Sequence, residues 1–136
     1  MDISLGVLSD YASVSQEGKL NIMGVFGEIN PPMLPFALPI MYLVLTFEAS
    51  PAEVDSDKTL KVALLDADGH QIFAMEQPMK VPQPKRPGSV VLMNAVMALA
   101  GIRFEKAGDY AFSILIGGDE KRRVALHINE PIKGGQ

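Results

Sequence analysis

Apolar residues recur at every second position in short blocks along this chain, and turn residues separate the blocks. That spacing puts alternate side chains on opposite faces of a strand, and it cannot line one face of a helix. Ile3, Leu5 and Val7 alternate with Ser4 and Gly6, and after the turn Gln16-Glu17-Gly18 the residues Leu20, Ile22, Gly24 and Phe26 share one face. These two blocks predict a hairpin. Leu60, Val62 and Leu64 alternate with Lys61 and Ala63, and Asp66-Ala67-Asp68-Gly69 closes a tight turn into Gln71 to Gln77. Further on, Phe104, Gly108, Tyr110, Phe112 and Ile114 read as a turn followed by a cleanly alternating strand, the pattern of a tyrosine corner. After Gly117-Gly118-Asp119 the last strand points Val124, Leu126 and Ile128 inward, with Arg122 at its wet end, and turns Arg123, Ala125 and His127 outward.

Two proline-rich stretches interrupt this pattern. Asn30 to Pro39 holds four prolines, which remove backbone donors, and reads as a long apolar loop. Pro78 to Gly88 reads as an extended, solvated connection between the two halves of the chain. Ile40 to Phe47 is apolar on both faces, as a central strand covered twice must be. Ser89 to Ile102 mixes helix formers (Met93, Ala95, Met97, Leu99, Ala100) with β-branched Val90, Val91 and Val96. The tyrosine corner that follows decides for strand. About eight strands with no room for a helix layer predict an all-β, two-sheet antiparallel sandwich of immunoglobulin-like, Greek-key type, forming a single domain over residues 1–136.

The absence of cysteine excludes disulfides, thiolate zinc sites and a cysteine nucleophile, and suits a reducing cytoplasm. The opening Met1-Asp2-Ile3-Ser4 places an acid where a signal peptide carries lysine or arginine. A cytosolic start is the expectation. The longest apolar run, Val90 to Ile102, is broken by Asn94 and Gly101 and falls short of the roughly 20 residues a membrane span needs. Net charge is −4, and the basic residues are scattered apart from Lys80 to Arg86 and Lys121 to Arg123. Without a basic face, nucleic acid is not an expected partner.

The stretch Asp10-Tyr11-Ala12-Ser13-Val14-Ser15-Gln16-Glu17-Gly18-Lys19-Leu20-Asn21-Ile22-Met23-Gly24-Val25-Phe26 resembles the opening of a family of small stand-alone bacterial proteins of unknown function. The proline-rich loop before Ile40, the Asp66 to Gly69 hairpin and the Phe104 to Phe112 corner are similar to that family too. The resemblance implies a β-sandwich and a bacterial cytoplasm. It implies no activity, cofactor or catalytic residue.

Candidate chemistry is sparse. Asp55, Asp57, Asp66 and Asp68 lie in two loops that could meet at one end of a sandwich and offer oxygen ligands to calcium. Aspartate before glycine is also what a hairpin turn requires, and the turn reading carries more weight. His70 and His127 are too few for zinc without cysteine, and no nucleophile elbow, phosphate loop or metalloprotease motif occurs. No catalytic residue and no cofactor is assigned, and an enzyme is not expected. The eight methionines fit core packing better than copper binding.

What stands out is apolar surface without a cover, because a sandwich buries one face of each sheet while Ile40 to Phe47 and Val90 to Leu99 are apolar on both. Either the loop Pro31 to Pro39 or a partner subunit must shield the second face. The expected function is therefore a non-enzymatic protein-interaction or self-assembling module, a homo-oligomer with Met93, Ala95, Met97 and Leu99 as its contact row. The alternative is a ligand- or calcium-binding module that uses the aspartate loops.

Overall fold

The computed structural model describes residues 1–132. Among the described residues, nine strands form two sheets: β1 (Asp2–Val14), β2 (Leu20–Phe26), β3 (Glu28–Ile29), β4 (Phe36–Ala49), β5 (Asp57–Leu65), β6 (Gln71–Lys80), β7 (Val91–Phe104), β8 (Gly108–Ile116) and β9 (Asp119–Ile128). One sheet runs β2-β1-β4-β7 and the other β3-β9-β8-β5-β6. All pairings are antiparallel except β3 with β9. The residues from Val91 onward, which carried helix formers as well as valines, are strand.

Met41, Leu43, Leu45 and Phe47 of β4 meet Leu60, Val62 and Leu64 of β5, Tyr110, Phe112 and Ile114 of β8, and Val124, Leu126 and Ile128 of β9 in one core. Each fully buried aliphatic or aromatic side chain there contributes about 1.5–3 kcal/mol. The expected tyrosine corner is present. Tyr110 donates from its phenol oxygen to the Lys106 carbonyl at 2.6 Å and packs edge-on against Phe104, and burial pushes its phenol pKa up.

Two proline positions differ from expectation. β4 begins at Phe36, so Pro39 lies inside a strand rather than in a loop. Pairing of β1 with β4 ends at Ser9 and Tyr42, so at Pro39 the missing donor costs no ladder bond on that side. Pro78 likewise lies inside β6, which is an outer strand and tolerates it.

One side of the sandwich is closed. β2 passes through Gly27 into β3, which joins the opposite sheet, with His127 N donating to the Gly27 carbonyl and Asn129 N to the Ile29 carbonyl. Arg122 Nη1 donates to the Ile3 carbonyl across the two sheets at 3.2 Å, and its side chain passes so near Gly6 that a Cβ there would lie 2.9 Å from Nε. The opposite side holds β6 and β7, the outer strands of their sheets. There the second proline-rich stretch joins the two edges, and a small cluster of Ala49, Val81 and Val91 seals the base.

At the foot of the four-stranded sheet, a short 3₁₀ turn (Pro51–Glu53) holds the start of β1. The Met1 ammonium donates to Glu53 Oε2 at 2.9 Å, and the other Glu53 oxygen accepts from Ser50 N at 3.0 Å. The ammonium contact, then the backbone bond, lower the Glu53 pKa to about 2.

Candidate interaction surface

The four aspartates considered for calcium do not meet. Asp57 opens β5 and Asp66 follows its end, so Asp55 and Asp57 lie at one end of a nine-residue strand and Asp66 and Asp68 at the other. At about 3.3 Å per residue that is close to 30 Å. Asp55 instead accepts from Gln83 Nε2. Asp66 does lie near Asp68 and His70, with ligand atoms within 4.8 Å of one another. Its Oδ1, however, accepts from the backbone N–H groups of both Asp68 and His70, and Oδ2 faces His70 Nδ1 at 3.4 Å. The bond from His70 N, followed by that from Asp68 N, lowers the Asp66 pKa. These are the bonds of an Asx turn, completed by Gly69 at φ +84°.

His127 Nδ1 and Asp109 Oδ1 are 2.7 Å apart on exposed surface. Ser113, the buried hydroxyl on the same strand as Asp109, is four residues away, about 13 Å by strand rise, and donates instead to Glu120. A nucleophile, base and orienting acid are not assembled there.

The row proposed for self-association faces inward. Met97 and Leu99 are 8% and 6% exposed and belong to the main core, and Met93 and Ala95 pack against it. They stand opposite Leu43, Met41, Phe47 and Leu45 of β4, whose own side chains fill that core. The outward row of β7 is therefore Leu92, Asn94, Val96, Ala98 and Ala100. The reason is in the partner strand: register ties the two rows together, and Thr46, opposite Asn94, is polar and bonds it at 2.8 Å.

The loop Pro31 to Pro39 packs Leu34 and Leu38 against the core and does not supply the cover over the middle of this outer face. The β1–β2 hairpin does. Beyond Ser9 it leaves β4 and folds back across the sheet, so that the Gly18 carbonyl at its tip accepts from Asn94 Nδ2 at 3.1 Å, two strands away. Tyr11 meets Tyr42 edge-on, ring centroids 5.4 Å apart. Val44 points outward from β4 yet has no exposed surface, and it belongs to neither hydrophobic cluster. The fold-back bends at Gly24, which adopts φ +72° opposite Asp10, where a Cβ would run into the Asp10 carboxylate.

The arm reaches the face of β7 at Asn94, with Leu92, Ala98 and Ala100 of that face exposed, and leaves its edge. Four strands end the two sheets: β2, β7, β3 and β6. β3 has two residues, and β2 is short and bent at Gly24. β6 carries Glu76, Pro78 and Lys80, the usual protection of an edge against another chain. β7 has none of these from Val91 to Ala100: no charge, no proline and no positive φ. It pairs only with β4, and no other backbone hydrogen bond reaches it among the described residues. Leu92 and Val90 beside it are 63% and 53% exposed.

Along the first residues of this edge runs a groove of about 500 Å³. Val90 to Leu92 and Asn94 line it together with the segment Pro82 to Arg86, Ser89 and, bonded to Asn94, Gly18 of the hairpin tip. The lining includes two cations, Lys85 and Arg86, and no acid. Neither cation joins an ion pair among the described residues.

No helix among the described residues is long and apolar enough to cross a membrane. A family described as a family of unknown function (DUF6941) matches residues 4–129. No curated protein matches the chain.

Proposed function

The chain belongs to DUF6941, and since that family has no assigned function we propose one from the architecture: a non-enzymatic interaction module that self-associates by pairing β7 edge to edge with a second copy. The observation that carries this reading is the bare edge from Val91 to Ala100 in a molecule whose other three outer strands are short, bent or guarded. A row of free N–H and C=O groups is a template for another strand. Two copies related by a two-fold axis through the Ala95 to Ala100 stretch, beyond the part of the edge that the segment Pro82 to Arg86 flanks, present the same row antiparallel, and an uncharged edge sets no like charges against each other. The immunoglobulin-like description finds support in the tyrosine corner. The bacterial cytoplasm is the proposed setting, supported by the lack of cysteine and the family resemblance.

Light scattering on a concentration series tests the proposal. At tens of micromolar the protein should show twice the mass of one chain. Ala98→Lys, on exposed edge surface, should return the mass of a single chain with an unchanged circular dichroism spectrum. A parent that stays monomeric, or a dimer indifferent to Ala98→Lys, overturns it.

A further inference from the structure

We propose that the groove between the β7 edge and the proline-rich segment is a binding site for a short, extended, acidic peptide, distinct from the self-pairing surface farther along the same strand. Three features of the groove converge on that ligand. The first is backbone: Val91 to Asn94, which follow Val90 in the lining, are the start of the free edge of β7, which offers main-chain donors and acceptors to an incoming strand. At about 3.3 Å per residue this length takes four or five residues of partner. The second is apolar: Val90 and Leu92 project beside the edge and lie largely exposed, ready to receive alternate side chains of an added strand.

The third feature is charge. Lys85 and Arg86 belong to the lining, no acid lines the groove, and neither cation has an ion-pair partner among the described residues. In a chain of net charge −4 that is a local reversal of sign, and it selects carboxylates over ammonium groups. The cationic wall is also stiff. Pro82, Pro84 and Pro87 fix their own φ angles, and Ser89 ties back to the Arg86 carbonyl through its N–H and its hydroxyl. A wall already in place loses little entropy when a peptide enters.

Fluorescence anisotropy with a labelled pentapeptide alternating glutamate and valine tests the site, in the parent protein and in Ala98→Lys. The peptide should bind both, its lysine counterpart should bind neither, and the double variant Lys85→Glu/Arg86→Glu should weaken binding roughly tenfold or more. Both changes lie on exposed loop surface. Amide shifts on titration should centre on Val90 to Asn94. Equal binding of the acidic and basic peptides, indifference to the double variant, shifts centred elsewhere, or equal competition by octanoate, which has a carboxylate and no peptide backbone, would each overturn the proposal. The two readings fail separately: a parent that dimerises but ignores the peptide removes the groove alone, and a monomer that binds it removes the self-pairing alone.

Discussion

β6 and β7 are the two outer strands on the open side of the sandwich, one from each sheet, and they are built on opposite rules. β6 has Glu76 and Lys80 to repel or hydrate, and Pro78 to deny a donor. β7 is longer, uncharged from Val91 to Ile102 and regular as far as Ala100. Soluble proteins guard edges because an unguarded one recruits strands indiscriminately. The difference teaches that the openness of β7 is selective: the hairpin tip holds its outer face at Asn94, Ala49, Val81 and Val91 seal its base, and what remains on offer is the line of backbone groups with Leu92 beside it.

The sharpest break of this comparison is one residue wide. Met97 points into the core and Ala98 points out, so Met97→Glu buries a charge with no partner and should unfold the protein or cost about 3–5 kcal/mol in chemical denaturation. A well-folded, stable Met97→Glu would show that the facing of β7 is reversed.

Next in size is the bend of the arm. Gly24→Val needs a β-branched residue at positive φ and pushes on Asp10, so a loss of about 2–3 kcal/mol is expected, with faster hydrogen exchange at Asn94 as its tip contact opens. Normal protection there would mean the arm holds without its bend.

The knot at the foot of the sheet gives a smaller effect with a defined pH window. The Glu53 pKa falls from 4.5 to about 2 on folding, so its contribution is complete above pH 4.5 and is lost as pH falls toward 2. Allowing for solvent screening, Glu53→Gln should cost about 1–2 kcal/mol at neutral pH and flatten the acid limb of the stability profile. An unchanged acid limb would remove the ion pair from the account.

The smallest change in stability carries the comparison itself. Exchanging guards, with Ala98→Lys in β7 and Pro78→Thr in β6, should shift stability by about 0.5 kcal/mol or less. Alone, Ala98→Lys should abolish association in light scattering, and Pro78→Thr should increase it.

Most of the fold was legible because alternation between apolar and polar residues has amplitude wherever one face is wet. β5, β8 and β9 show it, and the Asp66 turn and the Tyr110 corner supplied their own local chemistry. β7 does not, since Leu92, Val96 and Ala98 are as apolar as Met93, Ala95 and Met97. Its parity was readable only through Asn94, and that one residue gives no sign of which face is inner until Thr46 and Gly18 are seen to claim it. The hairpin fold-back left a single trace, a glycine within a strand pattern opposite an acid. The separation of the two aspartate pairs was implicit in the strand expected between them, although the sequence reading let their two loops meet at one end.

The register of β4 with β7 has a consequence in time. Ala49 lies opposite Val91 and Phe36 opposite Phe104, so the longest ladder of the molecule joins segments with β5 and β6 strung between them. The β5–β6 and β8–β9 hairpins close over short turns and can form early, whereas this ladder must wait for a large loop to close. Until then both margins of the Val91 to Ala100 segment are bare, and it is while the chain is still folding that this segment is most exposed to other chains.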